Sequence, residues 1–158
     1  MKLILFTDGS VNTKLKIGYG AYLAFLEGCE SQKSLSEQIK VKKFINTSST
    51  KLELQTLLWA LSEVSAPKII SYTDSQNIIK LSSRRDKLEK NDYYTKNGKR
   101  LNNYKLYQQF YKITDNINIK INQIKGHAPS NKKKHTDKIF SLVDRASRNA
   151  LRASFSNK

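Results

Sequence analysis

Two aspartates follow apolar segments of the sequence, and the residues around them are nearly the same. Asp8 stands in Phe-Thr-Asp-Gly-Ser at residues 6–10, and Asp74 stands in Tyr-Thr-Asp-Ser-Gln at residues 72–76. Each apolar segment alternates like a strand, so each aspartate is expected where a strand stops. Ligands gather at the carboxyl ends of strands in open α/β sheets, which predicts two carboxylates within metal-bridging distance. For either residue alone, the simpler explanation is the turn and capping chemistry of Asp before Gly or Ser.

A third carboxylate, Glu53, falls on the apolar face of a predicted helix. At helical spacing it lines up with Leu57 and Ala60 instead of with the polar face. A carboxylate that faces a core costs several kcal/mol unless it is paired or bound to a metal ion. The alternative is a capping box, because Thr50 and Glu53 have its spacing and Glu53 would then bond backbone donors of the first turn.

The fourth carboxylate, Asp144, lies in the middle of the last predicted helix. Its sequence context is Val-Asp-Arg-Ala-Ser-Arg at residues 143–148. The alternative to a functional role is an intrahelical ion pair with Arg148, which is worth only a few tenths of a kcal/mol.

The four carboxylates together suggest more than each does separately. Oxygen ligands without cysteine or paired histidine select magnesium or manganese over zinc. Two such ions about 4 Å apart recur in enzymes that hydrolyse phosphodiesters. The set therefore predicts a site for two Mg2+ ions, with Mn2+ as a substitute.

The size and composition of the chain predict one soluble domain. Its 158 residues can bury a core without disulfides, and Cys29 is the single cysteine. The apolar fraction is 38%, yet no apolar run approaches the roughly 18 residues of a membrane span. The N-terminal segment turns polar too soon for a signal peptide. We therefore expect a cytoplasmic monomer that does not enter a membrane.

The net charge indicates the class of partner. The chain has 29 Lys and Arg against 13 Asp and Glu, a formal charge of +16. Such a charge captures polyanions, and nucleic acid is the leading candidate. Biased base composition with a solvated surface would give a similar charge. An anionic membrane surface is less favoured because no basic amphipathic helix has an aromatic apolar face.

Periodicity along the chain predicts an α/β domain over residues 1–158, with a five-stranded mixed sheet flanked by helices and no internal repeat. The first three strands are expected to form a meander. The predicted strands are 2–8, 18–26, 33–41, 68–73 and 117–121, and the predicted helices are 50–64, a short helix after Ser75, 103–114 and 138–153.

The order of these motifs closely resembles type 1 ribonuclease H. The matching motifs are Thr-Asp-Gly-Ser, Glu53 at the start of the next helix, Tyr-Thr-Asp-Ser, Lys-Gly-His at residues 125–127 and Val-Asp-Arg-Ala-Ser-Arg. The resemblance implies cleavage of RNA paired to DNA, leaving 5'-phosphate and 3'-hydroxyl ends. It further implies that Asp8 bridges both ions, that Asp144 completes the water-activating site, and that Glu53 and Asp74 serve the other ion. His127 would assist proton transfer or product release; a solvated loop histidine is the alternative.

An RNA/DNA hybrid is recognised by its shape and its 2'-hydroxyls, which calls for short polar side chains near the metal ions. The candidates are Ser10, Asn12, Ser49, Thr50 and Gln76, and the resemblance adds Asn103. The family often has paired asparagines where this chain has Ser49 and Thr50. The loop around Asn12 also departs from the family pattern.

A basic segment at about residues 82–102 resembles the protrusion with which some family members hold the DNA strand. It combines seven cations with Tyr93 and Tyr94. Lysine and arginine would supply salt-sensitive affinity, and a tyrosine could stack on a base or sugar. The alternative is a solvated loop with a tyrosine packed beneath it.

Two questions stay open at this level. Asp137 is an alternative to Asp144 as the fourth ligand, because its spacing from His127 suits the compact members of the family. The residues around Asp144 match the family's motif better. As for function, the alternatives to a hybrid nuclease are a non-catalytic hybrid- or duplex-binding module and a DNA-acting nuclease of the same fold.

Overall fold

The computed structural model describes residues 1–29, 35–125 and 135–156. Within these ranges none of the helices is long and apolar enough to cross a membrane. The strands are β1 (Lys2–Asn12), β2 (Ile17–Leu26), β3 (Lys40–Ile45), β4 (Lys68–Thr73) and β5 (Ile119–Gln123), and the helices are α1 (Ser49–Glu63), α2 (Gln76–Lys90), α3 (Tyr104–Asp115) and α4 (His135–Ser156).

The strands form one five-stranded mixed sheet in the order β3-β2-β1-β4-β5. The first three strands pair antiparallel, as the predicted meander requires, whereas β4 and β5 add to β1 in parallel. Parallel neighbours need long crossovers, and helices supply them here. The predicted fold class is therefore confirmed, and β1 is the central strand.

Side chains of β1 alternate between two apolar layers. Leu3 and Leu5 pack with α1, α2 and α3 on one face of the sheet. Ile4 and Phe6 pack with α4 on the opposite face. Because successive strand residues point to opposite faces, Asp8 continues the row of Ile4 and Phe6 and faces the α4 side.

The bounds of three predicted strands differ from the structure by two residues or more, and the last strand is displaced by only two residues, to Ile119–Gln123. The first strand does not stop at Asp8 but continues to Asn12, because Asp8–Asn12 pair with Ile17–Ala21 of the neighbouring strand. The third strand starts at Lys40, not at residue 33. Leu35, which is only 1% exposed, and Ile39 belong to the core on the α4 side. These two apolar residues anchor a short 3-10 turn before the strand, so their spacing did not mark a strand face.

The short helix predicted after Ser75 is in fact fifteen residues long. The stretch from 82 to 90, expected to be part of a basic loop, is the second half of α2. Leu81 and Leu88 are buried two turns apart on one face, and Arg85 pairs with Glu89 one turn later. A polar helix of this kind is held by one apolar stripe and by pairs along its exposed face.

Helix α1 approaches the β1–β2 hairpin closely because glycine stands at the contact. A Cβ atom built on Gly20 would overlap Oγ1 of Thr56, which is fully buried and donates a hydrogen bond of 2.7 Å to the Leu52 carbonyl. Glu53 follows Leu52 directly in α1. The small residue in β2 thus sets how near the helix that contains Glu53 lies to the sheet.

Replacing Gly20 with alanine is therefore expected to destabilise the protein by about 1–3 kcal/mol through overpacking. Without the overlap the same change would stabilise a strand, since glycine is the less favourable residue there. Urea denaturation measures the effect. Removing the overlapping atoms in the double variant G20A/T56A should recover much of the loss, and additive losses would contradict the steric explanation.

Candidate active site

Asp8 occupies the middle of the central strand and is 9% exposed. It pairs with Ala21 of β2, and four further residues of β1 follow it. The expectation that Asp8 stands at a strand end is thus wrong, although its placement on the α4 face is what brings it to other carboxylates. A charged side chain so deep in a sheet needs compensation.

Asp8 and Asp144 meet across the interface of β1 and α4. Burial raises the pKa of Asp8 to about 9, together with a hydrogen bond to the Asp144 carboxyl and the negative charges of Asp74 and Asp144. The backbone N–H of Gly9 acts in the opposite direction. A hydrogen bond between two carboxyl groups requires a proton on one of them, which agrees with the raised pKa of Asp8.

Asp144 also makes the intrahelical ion pair that the sequence suggested as an alternative. The Arg148 guanidinium lies 2.8 Å from Oδ2 of Asp144, and both side chains are partly solvated. The pair and the contact with Asp8 coexist. An ion pair at this exposure contributes little to stability, so it does not by itself explain why Asp144 faces Asp8.

Asp74 follows the last residue of β4, as predicted, and β4 runs parallel to β1. Its negative charge raises the pKa of both Asp8 and Glu53. Asp74 therefore lies within electrostatic reach of a carboxylate from each of two other elements.

Glu53 does not belong to a capping box. The N-cap of α1 is Ser48, whose hydroxyl accepts from the Lys51 N–H at 3.3 Å, so Glu53 lies beyond the first turn. Burial raises its pKa, a hydrogen bond from Ser75 lowers it and Asp74 raises it. The Ser75 hydroxyl also caps α2 by accepting from the Ile78 N–H at 3.2 Å. Glu53 thus points toward the beginning of α2.

The four predicted carboxylates consequently form a linked row, Glu53 to Asp74 to Asp8 to Asp144. Oxygen donors of this kind fit a hard divalent cation. Burial and the neighbouring carboxylates raise the pKa of Asp8, and a bound cation would offset the negative charge of these neighbours. As the side chains of the described ranges stand, no three His, Cys, Asp or Glu residues are arranged to hold a metal ion. The donor chemistry fits a cation, but its binding would require the carboxylates to turn toward one centre.

The polar candidates for substrate contact have different surroundings. Ser10 lies 2.9 Å from the hydroxyl of Ser147. Asn12 accepts from the backbone N–H groups of Lys14 and Leu15, both at 3.0 Å, so its side-chain oxygen closes the hairpin turn. This local role accounts for Asn12 without a ligand.

Three more candidates lie at helix starts. Ser49 and Thr50 begin α1, exposed and half-buried respectively, and Gln76 is the exposed first residue of α2, two positions after Asp74. Asn103 is the N-cap of α3, and its side chain makes no capping bond. Helix N-termini offer partial positive charge, which suits phosphate groups. His127 lies outside the described residues.

Two functional candidates were missed by sequence reasoning. Ser75 was expected only as a cap, yet it also bonds Glu53; its place directly after Asp74 was the available signal. Ser147 is fully buried and follows Asp144 by one helical turn, a spacing that places both on one face. Its partner Ser10 is too distant in sequence for pattern reasoning to find.

Asp137, the rival to Asp144, lies in the first turn of α4. Seven residues, or two helical turns of about 10 Å in total, separate it from Asp144. The carboxyl group that contacts Asp8 is that of Asp144. The structure therefore brings Asp144 into the row.

Within the basic segment, two arginines form ion pairs with acidic side chains. Arg85 makes two bonds of 2.6 and 2.7 Å to Asp115 and one to Glu89. Arg100 pairs with Asp92 at 2.7 Å and stacks over Tyr94 and Tyr104. Arg85 thus ties α2 to the end of α3, and Arg100 closes the connection between the two helices.

The other side chains of the segment differ in their exposure to solvent. Tyr93 is buried, whereas Tyr94 is 48% exposed. Lys87, Tyr94 and Lys96 border a surface depression of about 470 Å³. The segment therefore combines a packed tyrosine, as the alternative explanation supposed, with free cations beside an exposed one.

Comparison with known proteins identifies the family. A family model described as RNase H matches residues 1–146, a range that includes all four carboxylates. The solved solution structure of the PFV RNase H domain has a TM-score of 0.73 and 17% sequence identity, over 93% of this chain and 92% of that domain. At this identity the structural likeness shows the fold alone. Among curated proteins, none matches the sequence significantly.

Proposed function

Because the chain belongs to the RNase H family, we propose that it is a metal-dependent endonuclease that hydrolyses the RNA strand of RNA/DNA hybrids. The main support is the row of four carboxylates, which come from two strands and from two helices on opposite faces of the sheet. Clustered carboxylates from distant parts of the sequence, with the pKa values of Asp8 and Glu53 raised, are typical of a catalytic site.

In this proposal Asp8, Glu53, Asp74 and Asp144 hold two Mg2+ ions, for which Mn2+ could substitute. Bound divalent ions supply Lewis acidity for water activation and neutralise charge that develops on the scissile phosphate. Asp8, in the central strand, would contribute to both ion sites. Asp144, from α4, would complete the site of the ion that activates water, and Glu53 and Asp74 would serve the other ion. The products are RNA with 5'-phosphate and 3'-hydroxyl ends.

Substrate recognition is assigned to residues around this row. Ser49, Thr50 and Gln76 offer hydroxyl and amide groups at helix starts, where ribose 2'-hydroxyls and phosphates are bound. Ser10 and Asn103 are assigned to substrate contact as well. Asn12 contributes through the shape of its hairpin, and His127 is assigned to proton transfer or product release.

The proposal is tested with three labelled substrates: RNA/DNA hybrid, duplex RNA and duplex DNA. Each is incubated with the pure protein and either Mg2+ or EDTA. Cleavage restricted to the RNA strand of the hybrid and dependent on Mg2+ is expected. Binding without cleavage would favour a hybrid- or duplex-binding module, and Mg2+-dependent cleavage of duplex DNA would favour a DNA-acting nuclease of the same fold.

The lysines of the basic segment are expected to bind phosphates of the hybrid. Replacing Lys87 and Lys96 with alanine should weaken hybrid binding about tenfold at low salt and reduce the slope of log affinity against log salt by about 2. Fluorescence anisotropy in EDTA measures both quantities without cleavage. The control is the pair Lys112 and Lys120, exposed lysines at the end of α3 and on β5. Equal effects of the two double variants would mean that only net charge matters.

A further inference from the structure

Two neighbouring pairs of side chains join strand β1 to helix α4. Asp8 and Ser10 are two residues apart and share one face of β1, and Asp144 and Ser147 are three apart and share one face of α4. Asp8 meets Asp144 through their carboxyl groups. Ser10 meets Ser147 through their hydroxyls at 2.9 Å.

The direction of the hydroxyl contact follows from the protons available. Ser147 Oγ donates to the Asp144 carbonyl oxygen at 2.9 Å. A serine hydroxyl has one proton to donate, so Ser10 is the donor to Ser147. Ser10, Ser147 and the backbone of Asp144 thus form one chain of hydrogen bonds that ends at the residue facing Asp8.

The two contacts have opposite electrostatic character. Asp8 and Asp144 repel each other when both are ionised, and in a buried site that repulsion is little screened. The contact between the serines is neutral and attractive, and Ser147 is 0% exposed. It therefore holds α4 against β1 at the place where ionisation of both carboxyl groups, which metal binding requires, would push the two elements apart.

We propose that Ser147 is a positioning residue that, through Ser10, keeps Asp144 opposite Asp8 and thereby raises the affinity of this carboxylate pair for a divalent cation. The inference rests on the proposed function, in which these carboxylates are the metal ligands. It assigns Ser147 no contact with substrate. Folding already holds the two ligands close together, so cation binding does not have to supply the free energy for this. Preorganisation of this kind increases affinity.

The test is calorimetric titration of the whole protein with Mg2+ in the absence of nucleic acid. S147A is expected to raise the Mg2+ dissociation constant about three- to tenfold, the effect of one hydrogen bond of ordinary net strength. The Mg2+ concentration for half-maximal hybrid cleavage should rise by the same factor. At saturating Mg2+, kcat and the KM for hybrid should stay within about twofold of wild type.

The matched control is Ser154, which makes the same intrahelical bond, from Oγ to the Leu151 carbonyl at 2.6 Å. S154A should leave Mg2+ affinity unchanged, so equal affinities of S147A and S154A would overturn the inference. A merely structural role for Ser147 would lower the melting temperature without changing Mg2+ affinity. That result would overturn it too.

The second variant is S10A, at a half-buried position, which removes the same contact if S147A does not fold. The double variant S10A/S147A should bind Mg2+ no more weakly than either single variant, because the shared bond is lost only once. Additive losses would contradict a shared bond. Absence of Mg2+ binding by the wild-type protein would overturn the proposed cation chemistry and this inference together. Normal Mg2+ binding without hybrid cleavage would overturn the proposed function alone.

Discussion

Replacing Asp8 with asparagine is expected to abolish hybrid cleavage while making the metal-free protein more stable. The loss of activity should be at least about 1000-fold, because Asp8 is the proposed common ligand and several kcal/mol of transition-state stabilisation depend on it. Cleavage of labelled hybrid in Mg2+ and in Mn2+ measures this part. Asparagine keeps the shape of the side chain and can donate a hydrogen bond to Asp144.

The gain in stability follows from the sign of the pKa shift. The pKa of Asp8 rises from 3.8 to about 9 on folding, so the folded state favours the protonated form. Its contribution to stability is complete below pH 4 and is lost as the pH rises toward 9. At pH 7 the free energy of unfolding of the wild type is therefore lower than that of D8N, by on the order of 2–4 kcal/mol.

Urea denaturation in EDTA between pH 4 and pH 9 measures the difference between the two proteins. The gap should be small at pH 4 and widen as the pH rises. The exposed aspartate Asp86 supplies the control, since D86N changes one charge without relieving a buried one. A D8N variant that is less stable than wild type at every pH, or one that retains cleavage, would contradict the assignment of Asp8.

Replacing Asp144 with asparagine is expected to lower cleavage at least about 100-fold, whereas the same change at Asp137 should leave it within about threefold. The reason is position, because Asp144 contacts Asp8 and Asp137 lies two turns away. Asp137 stands in the first turn of α4, where a negative charge is favourable. D137N should instead destabilise the helix start by about 0.5 kcal/mol.

Parallel assays of cleavage and of thermal unfolding separate these two roles. Both residues are half-buried, so the two variants are matched in exposure as well as in chemistry. Loss of cleavage in D137N with normal cleavage in D144N would reverse the assignment. Loss in both would mean that the start of α4 takes part in binding the metal ions.

Sequence patterns predicted the fold best where packing imposes a simple period. The leucine stripe of α1 defined that helix to within one residue at each end. The apolar alternation of the strands correctly indicated a mixed sheet with a meander. These elements bury one or two faces in a continuous core, so their sequences record the geometry directly.

Prediction failed where the decisive contacts are not local. The polar end of β1 is a strand because β2 pairs with it, and nothing in Gly9–Asn12 indicates this. The lysine-rich edge strand β3 is exposed on most of its length and has no clear alternation. In the site, the choice between the capping box and a functional Glu53 depended on which residue caps α1. That residue, Ser48, is one of several adjacent candidates.

The central place of β1 has a consequence for how the protein loses activity. From Leu3 to Phe6 the strand is paired with both β2 and β4, and these hydrogen bonds can open only with the sheet, so amide protons of the segment just before Asp8 should be among the last to exchange with solvent. Asp144 belongs to α4, which is held to the sheet by side-chain packing and not by a strand ladder, so we expect it to detach in a smaller fluctuation. Partial opening that releases α4 would therefore inactivate the protein at a lower free energy than global unfolding, with Asp8 still in place.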